Sequence, residues 1–472
     1  MNFSWHIFID LGLISMGLLL ATFIRAKVKF FQKYLIPNAL TAGFLLLPLY
    51  NFVLPHIGID SMGLGELAYH LLSISFVAMA LRQTPPAHEK KGQGFFPTSV
   101  AIISQFAVQI IVGLLGTYIL IQTIMPDLFE PFGYLLPLGF VQGPGQAFAI
   151  GQSWETSGIF GAGSVGLTFA ALGFVVSCFG GVFLINYGIR RHWIGKEFRE
   201  ALQNQGIKTG VYPKDGPQKL GSTLTTETEA IDSMTFNTAM VLICYFLAYL
   251  FLRFLTYTLS MLGPLGAEFA TNLWGISFIF AALSGLLVKQ VLKILKVHYV
   301  LDNNTLNRIS GLSVDVMVTS AIAAISVVVV TQFWLPILLL ASVATILLFL
   351  TVPWFCSRLF EDHQFHRMML IFGVSSGTLS TGLALLRVID PEFETPVARD
   401  YTYASGITFL LVIPLILSIS FPVRTFVTGN MTYFWVALAI SLAYLIFAFV
   451  SYLVIAKGRA FAKASDVWLH SE

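Results

Sequence analysis

The sequence predicts an all-α polytopic membrane protein with about 11 transmembrane helices in two inverted-topology repeats, each containing a re-entrant hairpin. Three observations predict this: long continuous apolar runs, basic residues that recur on one side of those runs, and two shorter apolar stretches interrupted by glycine. Of the 472 residues, 56% are hydrophobic and only 11% charged, and the mean hydropathy is +0.79, far from the balance of a water-soluble domain. A hydrocarbon core about 30 Å thick takes about 20 apolar residues per helix. Runs of that length exclude a transmembrane barrel, whose strands are roughly ten residues of alternating polarity.

In chain order the spans fall near 5–24, 34–54, 64–81, 97–124, 157–188, 235–262, 269–292, 310–331, 335–355, 400–421 and 430–456. Arg25, Lys27, Lys29 and Lys33 follow the first span, and Arg82, Lys90 and Lys91 follow the third. The segment 189–234 is rich in basic residues, whereas 55–63 and 125–133 contain none. In the second half, Lys289, Lys293, Lys296 and Arg308 follow the seventh span, Arg358 and Arg367 follow the ninth, Arg399 precedes the tenth, and Lys457, Arg459 and Lys463 follow the last. All but Arg253, Arg387 and Arg424 of the 27 Lys and Arg residues thus fall on one side, which puts the N-terminus outside and the C-terminus inside. A basic flank and no small-residue cleavage site mark the first span as a retained helix. Cys178, Cys244 and Cys356 are scattered, with neither disulfide nor metal spacing. The net charge of +3 is explained by topology, so no nucleic-acid partner is implied.

Residues 134–152 (YLLPLGFVQGPGQAFAIGQ) and 368–388 (MMLIFGVSSGTLSTGLALLRV) are the exceptions. Each has two short apolar arms around a polar, glycine-rich centre. If either crossed the bilayer, the later basic loops would fall on the wrong side, so each reads as a re-entrant hairpin, the first from outside and the second from inside. Irregular backbone at membrane depth needs protein or a water-filled cavity to satisfy it, so each tip is a candidate binding site. The chain then divides into a first repeat, 1–188, with its hairpin near 134–152; a Gly- and Pro-containing cytoplasmic linker, 189–234; a second, inverted repeat, 235–456, with its hairpin near 366–390; and a cytoplasmic tail, 457–472. Two weak echoes accompany the division: LSISF at 72–76 against LSVDV at 312–316, and the Gly139 to Gly143 spacing repeated as Gly373 to Gly377.

The segments LPLGFVQGPGQAFAIGQSWE and GLTFAALGFVVSCFGGVFLINYGIR, with the hairpin in each half, resemble the bacterial sodium/glutamate symporter family, and through topology the resemblance covers nearly the whole chain. It implies sodium-coupled uptake of an acidic amino acid across the cytoplasmic (inner) membrane, a site where the two hairpin tips approach near mid-membrane, and a homodimer. Members of that family have ten spans and a tip closer to Gly-Gly-His-Gly-Thr. This chain has QGPGQ, a longer central loop and an eleventh span.

The tips carry chemistry suited to such a site. Gln142, Gly143, Pro144, Gly145 and Gln146 break the first hairpin, exposing carbonyls at the end of one arm and N–H groups at the start of the next. Around Gly377 the second tip supplies Ser375, Ser376, Thr378, Ser380 and Thr381. Carbonyl and hydroxyl oxygens are hard ligands suited to sodium, and a half-helix N-terminus attracts a carboxylate. The bland alternative is that these hydroxyls only bond back to the preceding turn. The stripe Gly166, Gly173, Ser177 and Gly180 reads as close helix packing.

Ionisable residues at membrane depth are few. Arg253 can snorkel to the outer surface, and Asp10 lies only a few residues into its span. Asp315 shares a helical stripe with Gly311, Thr319 and Ser326, which turns a small polar face into the bundle and makes the carboxylate a candidate for cation coordination. Arg387 can neutralise a substrate carboxylate, with a local pair to Asp390 as the alternative. The function expected is sodium-coupled symport of glutamate or a related small carboxylate, with sodium as coupling ion and neither enzymatic activity nor another cofactor. The alternatives are a channel or a carrier of another organic anion. The weakest is a membrane-embedded hydrolase, suggested by GVSSG at Gly373 to Gly377 with His363 and His366 nearby.

Overall fold

The computed structural model describes residues 5–83, 94–193, 205–211, 221–263, 266, 270, 273–390, 395–463 and 467–468. Every regular element among them is helical. The first half contains α1 (His6–Lys27), α2 (Asn38–Ile57), α3 (Met62–Leu81), α4 (Phe95–Thr123), the irregular helix α5 (130–142), α6 (Pro144–Glu155) and α7 (Ala162–Arg190). The second contains α8 (Ser233–Ser260), α9 (Ser277–Ile294), α10 (Asn303–Ala323), α11 (Val327–Leu359), α12 (Gln364–Ser376), α13 (Leu379–Ile389), α14 (Val397–Leu417), α15 (Ser420–Thr428) and α16 (Thr432–Ala456). Ten stretches among the described residues are long and apolar enough to cross a membrane, with α14 and α15 contributing one of them as Leu411–Thr428. The chain is therefore a multi-pass membrane protein. Helix α10 is comparable in length but carries Asn303, Arg308 and Asp315, which lower its hydropathy below that of the ten.

The eighth and ninth spans differ from the expected 310–331 and 335–355, because α10 stops at Ala323 and α11 starts at Val327. The turn between them is held by Asn51 of α2, whose Nδ2 donates to Ile325 O at 2.9 Å while its Oδ1 accepts from Val327 N at 2.9 Å. Ser326 caps α11 and so does not extend the Asp315 stripe. Asp10 is buried, accepting a 2.6 Å hydrogen bond from Tyr50 Oη. Arg253 is exposed, as a snorkelling side chain requires. The three cysteines are buried and unpaired. Of the basic residues expected inside, Lys90, Lys91, Lys196, Arg199, Lys214 and Lys219 lie outside the described residues.

Described parts of the linker dock on the helices. Arg25 Nε donates to Lys208 O at 3.2 Å. Thr223 N donates to Asp302 Oδ2 at 3.1 Å, and the same carboxylate caps α10 through Thr305 N and Oγ1. Burial alone would raise the pKa of Asp302, but the donors from Thr305, Thr223 and Asn304 outweigh it and hold the pKa below the usual carboxylate value.

Two groups of helices result. In the first, α3 and α10 lie against each other, α2 packs on α10, α9 packs on α3, and α1 and α8 cover α2 and α9. In the second, α4 packs on α11, α14 and α16, while α7 packs on α5, α6, α11 and α12. Within the first group, Gly43 of α2 meets α10 so closely that a Cβ there would stand 2.6 Å from Ile322 Cβ and 3.2 Å from Thr319 O. Gly285 of α9 meets α3 in the same way, 3.0 Å from Ala80 Cβ and 3.3 Å from Val77 O. Positions 43, 77 and 80 precede 285, 319 and 322 by the same 242 residues, so the two contacts exchange when the halves exchange. That register differs by two from the LSISF and LSVDV echo, whose offset is 240 residues.

Candidate functional site

Two helix breaks meet inside the second group. In the first, α5 ends in the wide turn Leu138–Gln142, Gly143 takes φ 90° and ψ 178°, and Pro144 opens α6. Only glycine adopts that φ without strain, and proline costs nothing at a helix start, where its missing N–H would have no partner. The first intrahelical bond runs from Ala147 N to Gly143 O at 3.2 Å, which leaves the N–H groups of Gly145 and Gln146 outside the ladder. In the second break, α12 ends at Ser376, Gly377 takes φ −149° and ψ −102°, and Thr378 caps α13 by accepting from Thr381 N at 3.3 Å.

The two tips touch. A Cβ at Gly143 would stand 2.5 Å from Thr378 Cγ2 and 3.8 Å from Gly377 O. Gly173 of α7 seats both, since a Cβ there would be 2.5 Å from Ser376 O and 3.3 Å from Phe140 Cα. The small stripe on α7 is thus a packing face, as its spacing suggests: Gly166 abuts Ala147 O, and Gly180 abuts the rings of Phe349 and Phe372. Gly145 lies against α3, where a Cβ would be 2.8 Å from Leu72 Cβ. From α4, the buried Gln109 donates through Nε2 to Ser375 O at 2.9 Å, holding the carbonyl end of α12.

Beside the tips lies a cavity of about 140 Å³, bounded by Gln142, Gln146 and Thr378 and by faces of α3, α4, α10 and α14. The amide oxygens of Gln142 and Gln146 and the hydroxyl of Thr408 are buried with no protein partner among the described residues, and so are Gln109 Oε1 and Ser375 Oγ nearby. Buried polar atoms are almost always paired, so this concentration of unpaired oxygens marks a place built for a polar guest. The arrangement offers neutral oxygens for a hard cation and free helix-start N–H groups for an anionic group.

The expected residues divide. Gln142, Gly143, Pro144, Gly145, Gln146, Ser375, Gly377 and Thr378 come together at the tips. Ser376 Oγ instead bonds back to Phe372 O at 2.7 Å, and Thr381 Oγ1 is 3.0 Å from Thr378 Oγ1. The Ser380 side chain lies outside the described ones. Asp315 and Gly311 are exposed, and the Asp315 carboxylate does not line the cavity, although Val314 and Met317 beside it do. Arg387 is also exposed and away from the cavity, while Asp390 accepts from Thr395 N and Oγ1 at 3.1 and 2.5 Å. Ser375, the serine of GVSSG, sits within a helix, and its Oγ has no hydrogen-bond partner among the described residues. Tyr401 and Thr408 of α14 line the cavity without having been singled out by sequence. Gln109 was detectable as one of three amides, with Gln105 and Gln122, inside an apolar run.

No family model, curated protein or solved structure matches this chain.

Proposed function

We propose that the chain is a secondary active transporter that couples uptake of glutamate or a related small carboxylate to sodium. It works as a homodimer in a bacterial cytoplasmic membrane, with its N-terminus outside and its C-terminus inside. The observation that carries this reading is the contact of Gly143 with Thr378, where one helix break from each half meets at a cavity with unpaired oxygens. In transporters, discontinuous helices at a repeat interface supply half-helix N-termini for anions and carbonyls for cations. The exchangeable Gly43 and Gly285 contacts support an inverted repeat, and with it the reading of α5–α6 and α12–α13 as re-entrant hairpins from opposite sides. The cavity lies between α3 and α10 of one helix group and the tips, α4 and α14 of the other. Movement of the second group against the first exposes the site to each side in turn.

The test is uptake into liposomes holding the purified chain, with sodium outside and potassium inside. Accumulation of labelled glutamate or another small carboxylate above its external concentration, lost when potassium replaces sodium, supports a symporter. Equilibration without accumulation identifies a channel. Orientation is tested separately with cysteines near 128, 210 and 460, the first reacting with impermeant reagents only from outside and the others only from inside.

A further inference from the structure

The charge content of the cavity restricts what it can hold. The side chains that bound it are aliphatic, aromatic, hydroxyl and amide groups, and none is ionisable at neutral pH among the described residues. The side chains of α13 and α14 that lie outside the described ones are Leu379, Ser380, Thr402, Phe409 and Leu410, none of them charged. Charged residues of the helices around the cavity lie off its described lining. Arg387 and Asp315 are exposed off the cavity. Asp400, next to the cavity residue Tyr401, holds Arg367 at 2.8 Å, and that guanidinium also binds Asp362. Much of the wall is formed by Phe76, Phe106, Phe278, Ile102, Met317 and Val412.

We infer that this cavity takes a monocarboxylate with an apolar body, and that the co-transported cation is the only counter-charge the carboxylate meets there. The inference rests on the carrier reading above and narrows its substrate. A carboxylate and one sodium ion neutralise each other, and the Gln142 and Gln146 amides, the tip hydroxyls and the free N–H groups of α6 suffice to orient such a pair. A dicarboxylate would bring a second negative charge and an amino acid an ammonium group, each buried against apolar walls with no partner of opposite sign. The apolar walls instead match a hydrocarbon body. Because neither ion has a protein counter-charge, each requires the other, which makes coupling a property of the neutral lining itself.

The experiment is calorimetric binding to the purified full-length chain in sodium and in potassium, with isocaproate, leucine, glutarate and glutamate as probes. Leucine is isocaproate with an added ammonium group, and glutarate replaces its isopropyl end with a carboxymethyl group. Isocaproate is expected to bind in sodium at least ten-fold more tightly than the other three, with binding lost in potassium. Glutamate, glutarate or leucine binding as tightly as isocaproate would overturn the inference while leaving a sodium-coupled carrier standing. Isocaproate binding equally in sodium and potassium would remove the shared-charge coupling. No binding of any of the four in sodium would overturn both the carrier reading and this inference.

Discussion

On the carrier reading proposed above, Gly143→Val is expected to lower uptake to at least about 100-fold below wild type, with the protein still reaching the membrane. Two independent conflicts produce this. The residue holds φ 90°, a conformation that costs a β-branched side chain on the order of 1–3 kcal/mol. A Cβ there would also stand 2.5 Å from Thr378 Cγ2, so relief of strain at one tip displaces the other. The contacts that join the two groups run along α6 to α3 and α10 rather than through the Gly143 to Thr378 contact itself, so the variant is expected to reach the membrane. Uptake in liposomes, with membrane protein quantified by immunoblot, checks it. Near-normal uptake would show that the two tips need not touch.

The second large effect is on stability. Arg367 of α12 is 1% exposed and joins Asp400 of α14, at 2.8 Å, to Asp362 before α12, with its guanidinium over the ring of Phe360. Gly94 at the start of α4 closes over it, and a Cβ there would stand 2.1 Å from Nη1. Arg367→Met keeps the packing stem but leaves Asp400, itself 1% exposed, as a buried carboxylate without its cation. Breaking one side of such a pair costs about 3–5 kcal/mol. The variant should unfold at clearly lower temperature in detergent, and the double variant Arg367→Met with Asp400→Leu should recover most of the loss. A thermal midpoint unchanged in the single variant would mean that the pair is solvated rather than buried.

The apolar runs and the two helix breaks were legible because their causes are local. Continuous hydrophobicity specifies a membrane helix, and QGPGQ and SSGTLST contain the residues that interrupt one. The turn at 324–326 was not legible, because the residue that makes it, Asn51, lies on α2 and the run through Ile322 to Val330 is unbroken in hydropathy. The same hidden turn misplaced the Asp315 stripe, which was extended to Ser326 as though one helix continued. Gln109 was visible as a polar residue in α4, but its bond to Ser375 O is a tertiary fact. Arg387 was visible as a cation beside the second break, but its exposure and its place off the cavity lining are set by how α13 packs.

The most direct measurement is thiol reactivity at the two tips together. Cysteines introduced as Gln146→Cys and Thr378→Cys line one cavity, and native Cys178, Cys244 and Cys356 are buried, which limits background labelling. In purified protein both introduced thiols should react with a small reagent in potassium, and both should be shielded when sodium is present with whichever of isocaproate, glutarate or glutamate binds. Sodium or carboxylate alone should shield neither fully. Protection of only one position, or labelling of both that ignores sodium and carboxylate, would contradict a shared, sodium-coupled site at the meeting of the two breaks.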